Sequence, residues 1–277
     1  MANLISSEKQ YKHNNSKLIT ILLICGYTIL FTPLVILMIN SFGDSDIPGV
    51  WTHFTLKWYE QALTDKELLN AVFVSLKIAI ISATISCILG VMAAVGTTQP
   101  KTQKFLGRKF LSGAIIMPIV MPEIIVGFSL LMLLLSVERA IGVTINRGFI
   151  TVCLGHVIAT MSYVHMNVSS KIKTLDKSIE EAALNFGARP WPVFWKIKLP
   201  MLSSAISTSW ILVFTMSLDD LVIASFLTGP GSTTLPILLF SNIRVGITPM
   251  INAFATMFIL VIVLCITINH FCNRKKQ

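Results

Sequence analysis

Three acidic residues stand inside long apolar stretches of this 277-residue chain. Glu123 follows Met121 and Pro122, with Pro118 four positions earlier, and Asp219 and Asp220 sit together between Leu218 and Leu221. At the centre of a membrane helix an ionisable side chain costs roughly 2.5–3.5 kcal/mol on insertion scales. Such residues are therefore read as functional. The one basic side chain inside an apolar stretch is Lys77, near its outer end, where a long side chain can snorkel to water. Three carboxylates without an equal set of bases favour a cationic substrate. The alternative role for each is a structural hydrogen bond or a salt bridge to a partner chain. Neighbouring residues on a helix point about 100° apart, so one of Asp219 and Asp220 is expected to face the path while the other ties down the helix.

The elements that would carry these acids follow from composition. Apolar residues make up 54% and charged residues 13%. The mean hydropathy is +0.75. Soluble domains carry about 25% charged residues, so an ordinary cytosolic enzyme and a disordered chain are excluded. Six stretches reach the roughly 20 residues that a bilayer-spanning helix needs: 18–40, 71–97, 110–136, 148–170, 203–228 and 251–270. The expected fold is an all-α polytopic membrane protein, with a tail at 1–17, a six-span domain at 18–270 and a second tail at 271–277. Pro118 and Pro122 are expected to interrupt the third span.

The net charge is +9, and its placement matters more than its size. One set of segments holds Lys9, Lys12 and Lys17; Lys101, Lys104, Arg108 and Lys109; Lys171, Lys173, Lys177, Arg189, Lys196 and Lys198; and Arg274, Lys275 and Lys276. The alternate loops hold Lys57, Lys66, Arg139, Arg147 and Arg244. The positive-inside bias places both termini in the cytoplasm. It also accounts for the basic charge without a nucleic acid. Most acids outside the apolar stretches, Asp44, Asp46, Glu60, Asp65, Glu67 and Glu138, lie in the opposite loops, and the first of these, 41–70, carries Trp51, Trp58 and Tyr59. These aromatics read as an interfacial belt or as a docking surface for an extracytoplasmic partner. The outer loop 229–249 reads as a re-entrant flap or as a surface loop. Cys25, Cys87, Cys153, Cys265 and Cys272 have no metal-type spacing, so neither a disulfide nor a metal site is expected. His156 and His165 read as hydrogen-bonding groups of the bundle, with a ligand role as the alternative.

The loop 171–202 is longer than a simple helix connector. Ser178 and Glu181 have capping-box spacing, and Gly187 can end the resulting helix in the left-handed conformation. A short helix is expected between them. A second short amphipathic piece, 193–199, would lead to Pro200 and back into the membrane. Glu181, Ala182, Ala183, Gly187, Ile197, Leu199 and Pro200 stand at the spacing of the EAA loop, and in this the chain resembles the permeases of binding-protein-dependent ABC importers. With residue usages below about one in ten each, chance gives such a match on the order of one window in a million.

The resemblance implies a type I importer permease fold (MetI-like) in a bacterial inner membrane. It implies that the seven loop residues couple to an ATPase subunit dimer, which would hold ATP and Mg. This chain has no G-x-x-x-x-G-K-[ST] phosphate loop, so no cofactor and no enzymatic activity of its own are expected. A second, homologous permease chain, an extracytoplasmic polyamine-binding protein and membrane lipid are the implied partners. The segment 217–226 with Gly229, Pro230, Gly231, Thr234, Leu235 and Pro236 resembles the polyamine branch, and Met121–Glu123 with Ser178–Ala183 resembles its putrescine rather than its spermidine side. Asp219, Asp220 and Glu123 would then line the substrate path. Spermidine or another organic cation is the alternative cargo. Two readings of other classes fit these residues less well. An intramembrane aspartyl protease needs two facing carboxylates, which adjacent residues on one helix do not supply. A proton-coupled secondary carrier would leave the EAA loop without a purpose.

Overall fold

The computed structural model describes residues 2–45, 50–98, 107–176, 178–246 and 248–274. Asp46, Lys101, Lys104, Lys177, Lys275 and Lys276, which enter the charge reading above, lie outside the described residues. The described chain is helical: α1 (Ala2–Asn40), α2 (Lys57–Thr64), α3 (Lys66–Thr98), α4 (Gly107–Val120), α5 (Glu123–Ile141), α6 (Phe149–Thr174), α7 (Ser178–Asn185), α8 (Pro190–Leu218), α9 (Val222–Leu227), α10 (Leu235–Val245) and α11 (Pro249–Arg274). Five of them, α3, α5, α6, α8 and the Ile19–Asn40 part of α1, are long and apolar enough to cross a membrane. The sixth expected span falls on α11, which has 26 residues.

The chain divides into two compact units. In the first, residues up to Asp65 and from Asn242 onward, α11 packs against α1 and α2. The segment after α1 is folded rather than loose. Trp58 is buried, and its Nε1 donates to the Gly43 carbonyl at 2.8 Å. The Ser41 and Tyr59 hydroxyls lie 2.6 Å apart. Phe42 stacks on Phe54 with ring centres 5.4 Å apart. Lys57 pairs with Asp44 and sits over the Trp58 ring. Trp58 thus pins the segment, while Trp51 is exposed.

The second unit, Lys66–Ser241, is built on α3, α6 and α8, which pack on one another along most of their lengths. Lipid gives helices little hydrophobic reason to associate, so small residues and hydrogen bonds do much of the work. Gly155 shows why: a Cβ there would run into the Leu227 side chain. Ser86 bonds Thr160 at 2.9 Å, Thr97 bonds His165 at 3.0 Å, and Asn167 donates to Ser209 at 2.9 Å. His165 is thus a bundle hydrogen-bonder, as the sequence suggests. One buried cluster gathers Ala83, Val91, Val164, Val168, Leu202 and Val213. A second gathers Ile78, Val126, Val152, Ile223 and Leu227 around α9.

Two expected spans are broken. The third divides into α4 and α5 at Met121–Pro122, where Pro122 takes an extended ψ of 135° and caps α5. Pro118 remains inside α4 and does not end it. The fifth, read as continuous over 203–228, divides at Asp219–Leu221 into α8 and α9. The reason is local: the Asp220 carboxylate accepts from the amides of Ile223 at 3.2 Å and Ala224 at 3.1 Å. An aspartate that bonds its own downstream backbone competes with helix continuation and starts a new helix instead.

Candidate functional site

The two breaks meet. Glu123, Asp219 and Asp220 all line one cavity of about 480 Å³, enclosed by the α4–α5 junction, the α8–α9 junction and the middle of α6. No Lys or Arg is among its lining residues. The fold thus brings the three acids that the sequence singles out to one cavity. Pro122 positions Glu123 at the first residue of α5, where the helix N-terminus favours negative charge. Asp219 ends α8, its amide donating to Thr215 at 3.2 Å, and its side chain is exposed at the cavity wall. The two adjacent aspartates thus have different surroundings.

Asp220 is mostly buried, its side chain 9% exposed, and its Oδ2 lies 3.0 Å from His156 Nε2. The two atoms are in contact, but no hydrogen bond joins them. His156 Nδ1 lies 2.6 Å from the Ser217 hydroxyl. His156 was read from the sequence as a bundle hydrogen-bonder; it is that, and it also lines the cavity. Tyr163 and Thr160 line it too and carried no sequence signal beyond being polar residues on α6. Their positions one and two helical turns from His156 are the clue that the helical period offers. Among the described residues, no group of three His, Cys, Asp or Glu is arranged to hold a metal ion.

The connecting loop forms a second candidate site. α7 is the short helix expected between Ser178 and Gly187, but its cap differs. Ser178 is the first helical residue, and Asp176 Oδ1 accepts the Ser178 amide at 2.9 Å. The Ser178–Glu181 capping box is thus replaced by Asp176, because an aspartate two residues earlier reaches the same amide. Hydrogen bonds from the Ser178 amide and then its hydroxyl hold the Asp176 carboxyl below the usual aspartate range. At the other end Gly187 has φ of 86°, and its amide donates to Leu184 while Ala188 donates to Ala183. This is the paired bonding of a Schellman stop, which the left-handed glycine permits.

Glu180 pairs with Lys198 at 3.0 Å and so ties α7 to the next segment. That segment is not a separate amphipathic piece. Residues 190–218 form one helix, with a π-helical turn at Phe194–Lys198, and Ile197, Leu199 and Pro200 lie within it. Of the loop residues singled out, Glu181, Ala182, Gly187 and Pro200 are exposed, while Ala183, Ile197 and Leu199 are half-buried. Beside them stand residues that the motif did not include: Phe186 is 93% exposed, Trp191 69% and Trp195 50%. Trp191 and Trp195 pack edge to face at 5.6 Å. A cluster of exposed aromatics on a charged loop marks an interaction surface.

Known proteins share this plan. The chain matches the family model for the binding-protein-dependent transport system inner membrane component over residues 86–275. It is 45% identical over 239 residues to the putrescine transport system permease protein PotI of Escherichia coli (strain K12), covering 86% of this chain and 84% of that protein. It is 33% identical over 250 residues to the spermidine/putrescine transport system permease protein PotC of the same organism, covering 90% and 91%. Among solved structures, a bacterial ABC transporter involved in import of the acidic polysaccharide alginate superposes with a TM-score of 0.67 at 14% identity, covering 91% of this chain and 93% of that one. That likeness carries the fold. With a family model covering more than half of its length and relatives this similar over nearly all of it, the chain belongs to the inner membrane permease components of binding-protein-dependent transport systems.

Proposed function

We propose that this chain is the permease subunit of an ATP-driven polyamine importer, with putrescine as its cargo. The observation that carries the reading is the meeting of Glu123, Asp219 and Asp220 in one cavity with no Lys or Arg in its wall. Desolvating three carboxylates is costly, and a multiply charged amine offsets that cost while it passes. The permeases PotI and PotC, whose names carry putrescine and spermidine, support the same class of cargo.

The surface formed by Glu181, Ala182, Ala183 and Gly187 with Phe186 and Trp191 is suited to seat in an ATPase subunit. The small alanines permit close approach, and the aromatics supply buried area. Two ATPase subunits would meet two such surfaces, one from this chain and one from a homologous permease. A binding protein delivers the amine at the outer face, with both termini of this chain in the cytoplasm. ATP binding draws the ATPases together, moves the α7 surfaces and turns the cavity outward. The amine enters past Asp219 and Glu123. Hydrolysis returns the cavity to the inner face. ATP and Mg reside on the ATPase, and this chain supplies the path and the connection.

The test is amine-stimulated ATP hydrolysis by the complete assembly, purified through this chain and placed in nanodiscs with its binding protein. Stimulation by putrescine, and not by a neutral sugar, is the expected result. Stimulation by spermidine alone keeps the machine and changes the cargo, a second reading favoured by the likeness to PotC. An assembly without a co-purifying ATPase sinks the reading and brings the proton-coupled carrier forward.

A further inference from the structure

The three carboxylates of the cavity are not offered equally. Both oxygens of Asp220 accept backbone amides from the first turn of α9. Its Oδ2 also faces His156 Nε2 at 3.0 Å. His156 is 1% exposed, and its other ring nitrogen is held 2.6 Å from the Ser217 hydroxyl. The imidazole is therefore fixed on one side by α8 and presents its second nitrogen to the acid across the break. A carboxylate that accepts two backbone amides and packs against an imidazole has much of its hydrogen-bonding capacity and its open side taken up by the protein. Glu123 and Asp219, by contrast, are exposed at the cavity wall.

We propose that His156 is a positioning and selectivity residue: it withdraws Asp220 from the carboxylates that face the cargo, leaving two acids for a two-ended diamine. The inference rests on the amine-import reading and adds to it. Putrescine carries two ammonium groups and spermidine three. A cavity with two free acids matches the first in charge. Removing the imidazole returns the Asp220 charge to the cavity, and a third ammonium then gains a partner. The net effect is a shift of preference toward the longer amine, with no change in the path itself.

The experiment measures uptake of labelled putrescine and spermidine by the complete importer in proteoliposomes. His156→Ala is expected to raise the spermidine-to-putrescine ratio of kcat/KM by about fivefold or more, the size of one additional partly buried charge pair. His156→Gln keeps a polar side chain beside Asp220 in place of the ring, and is expected to fall between wild type and His156→Ala. A purely structural role lowers both amines together and leaves the ratio fixed; that outcome overturns the proposal. A second comparison stands if His156→Ala fails to assemble. Asp219→Asn is expected to cost putrescine uptake at least about fivefold more than Asp220→Asn, since Asp220 is turned to the α9 amides and asparagine can still accept one of them. Equal losses from the two overturn the proposal as well. Failure of the wild-type importer to move either amine is visible before any variant is made, and removes the import reading with everything built on it.

Discussion

The chain is interrupted in two ways, and the contrast runs through both candidate sites. At Pro122 and at Gly187 the interruption is built into the residue: a ring that removes a donor, and a missing Cβ that admits a φ of 86°. At Asp220 and at Asp176 it is made by a side chain that takes backbone amides from the residues that follow. The first kind is written in the residue itself, although Pro118 inside α4 shows that a proline need not end a helix. The second depends on where it sits. Asp220 lies deep in the bundle beside His156, whereas Asp176 is open to water. The same chemistry should therefore carry very different weight at the two positions.

The largest effect should come from Asp220→Ala. It deprives two amides of their acceptor and leaves the buried His156 ring without its acid. Leaving a buried donor without its acceptor costs roughly 1–3 kcal/mol for each of the two amides. The thermal midpoint of the purified assembly should fall, and putrescine uptake should be lost. A midpoint within a degree of wild type would show that the α8–α9 break does not depend on this carboxylate.

Next is Gly187→Asp, which forces a side chain onto a left-handed position at a cost of roughly 1–2 kcal/mol. The Schellman stop should loosen, and ATPase association in a pull-down should weaken about tenfold. Wild-type association would mean that the surface tolerates a frayed end. Glu181→Lys should weaken association to a lesser degree by reversing an exposed charge, and the same assay reads it.

Pro122→Ala comes third. The break at α4–α5 is also shaped by the packing of α5 on α9, so the midpoint should move by less than about 1 kcal/mol in stability. Uptake should fall about twofold as Glu123 loses its fixed place. A larger loss than that of Asp220→Ala would reverse the ranking of the two kinds of break.

The smallest effect belongs to Asp176→Ala, since the residue is fully exposed. Its carboxylate form is the one held in the folded state, so its contribution is present at neutral pH. That contribution disappears only as pH falls through a value below the ordinary 3.8. Amide exchange at Ser178 should quicken in the variant at pH 7 and match wild type near pH 2.

Much of this was legible in the residues. Pro122 announces its break because proline acts through covalent geometry, and Gly187 announces its stop for the same reason. The break at Asp220 was not legible as a break. Its neighbours Leu218, Leu221, Val222 and Ile223 read as uninterrupted span, and the histidine that accompanies the acid lies 64 positions away on α6. Only the folded bundle brings the two together. The cap of α7 was misplaced by two residues because Asp176 and Ser178 are both good acceptors and short-range pattern does not rank them. Phe186, Trp191 and Trp195 were passed over because a motif names residue types, whereas exposure is a property of the fold.

The continuity of residues 190–218 has a mechanical meaning. At 1.5 Å per residue, 29 helical residues make a rod roughly 40 Å long. One end carries Trp191 and Trp195, and the other end is Asp219. A lever of that length converts a tilt of about 10° at the aromatic end into a displacement on the order of 7 Å at the acid. The π-helical turn at Phe194–Lys198 lies near the aromatic end, where a change of helical register would alter the length of the rod. Inserting or deleting one residue there should therefore change the stroke of the machine before it changes its strength.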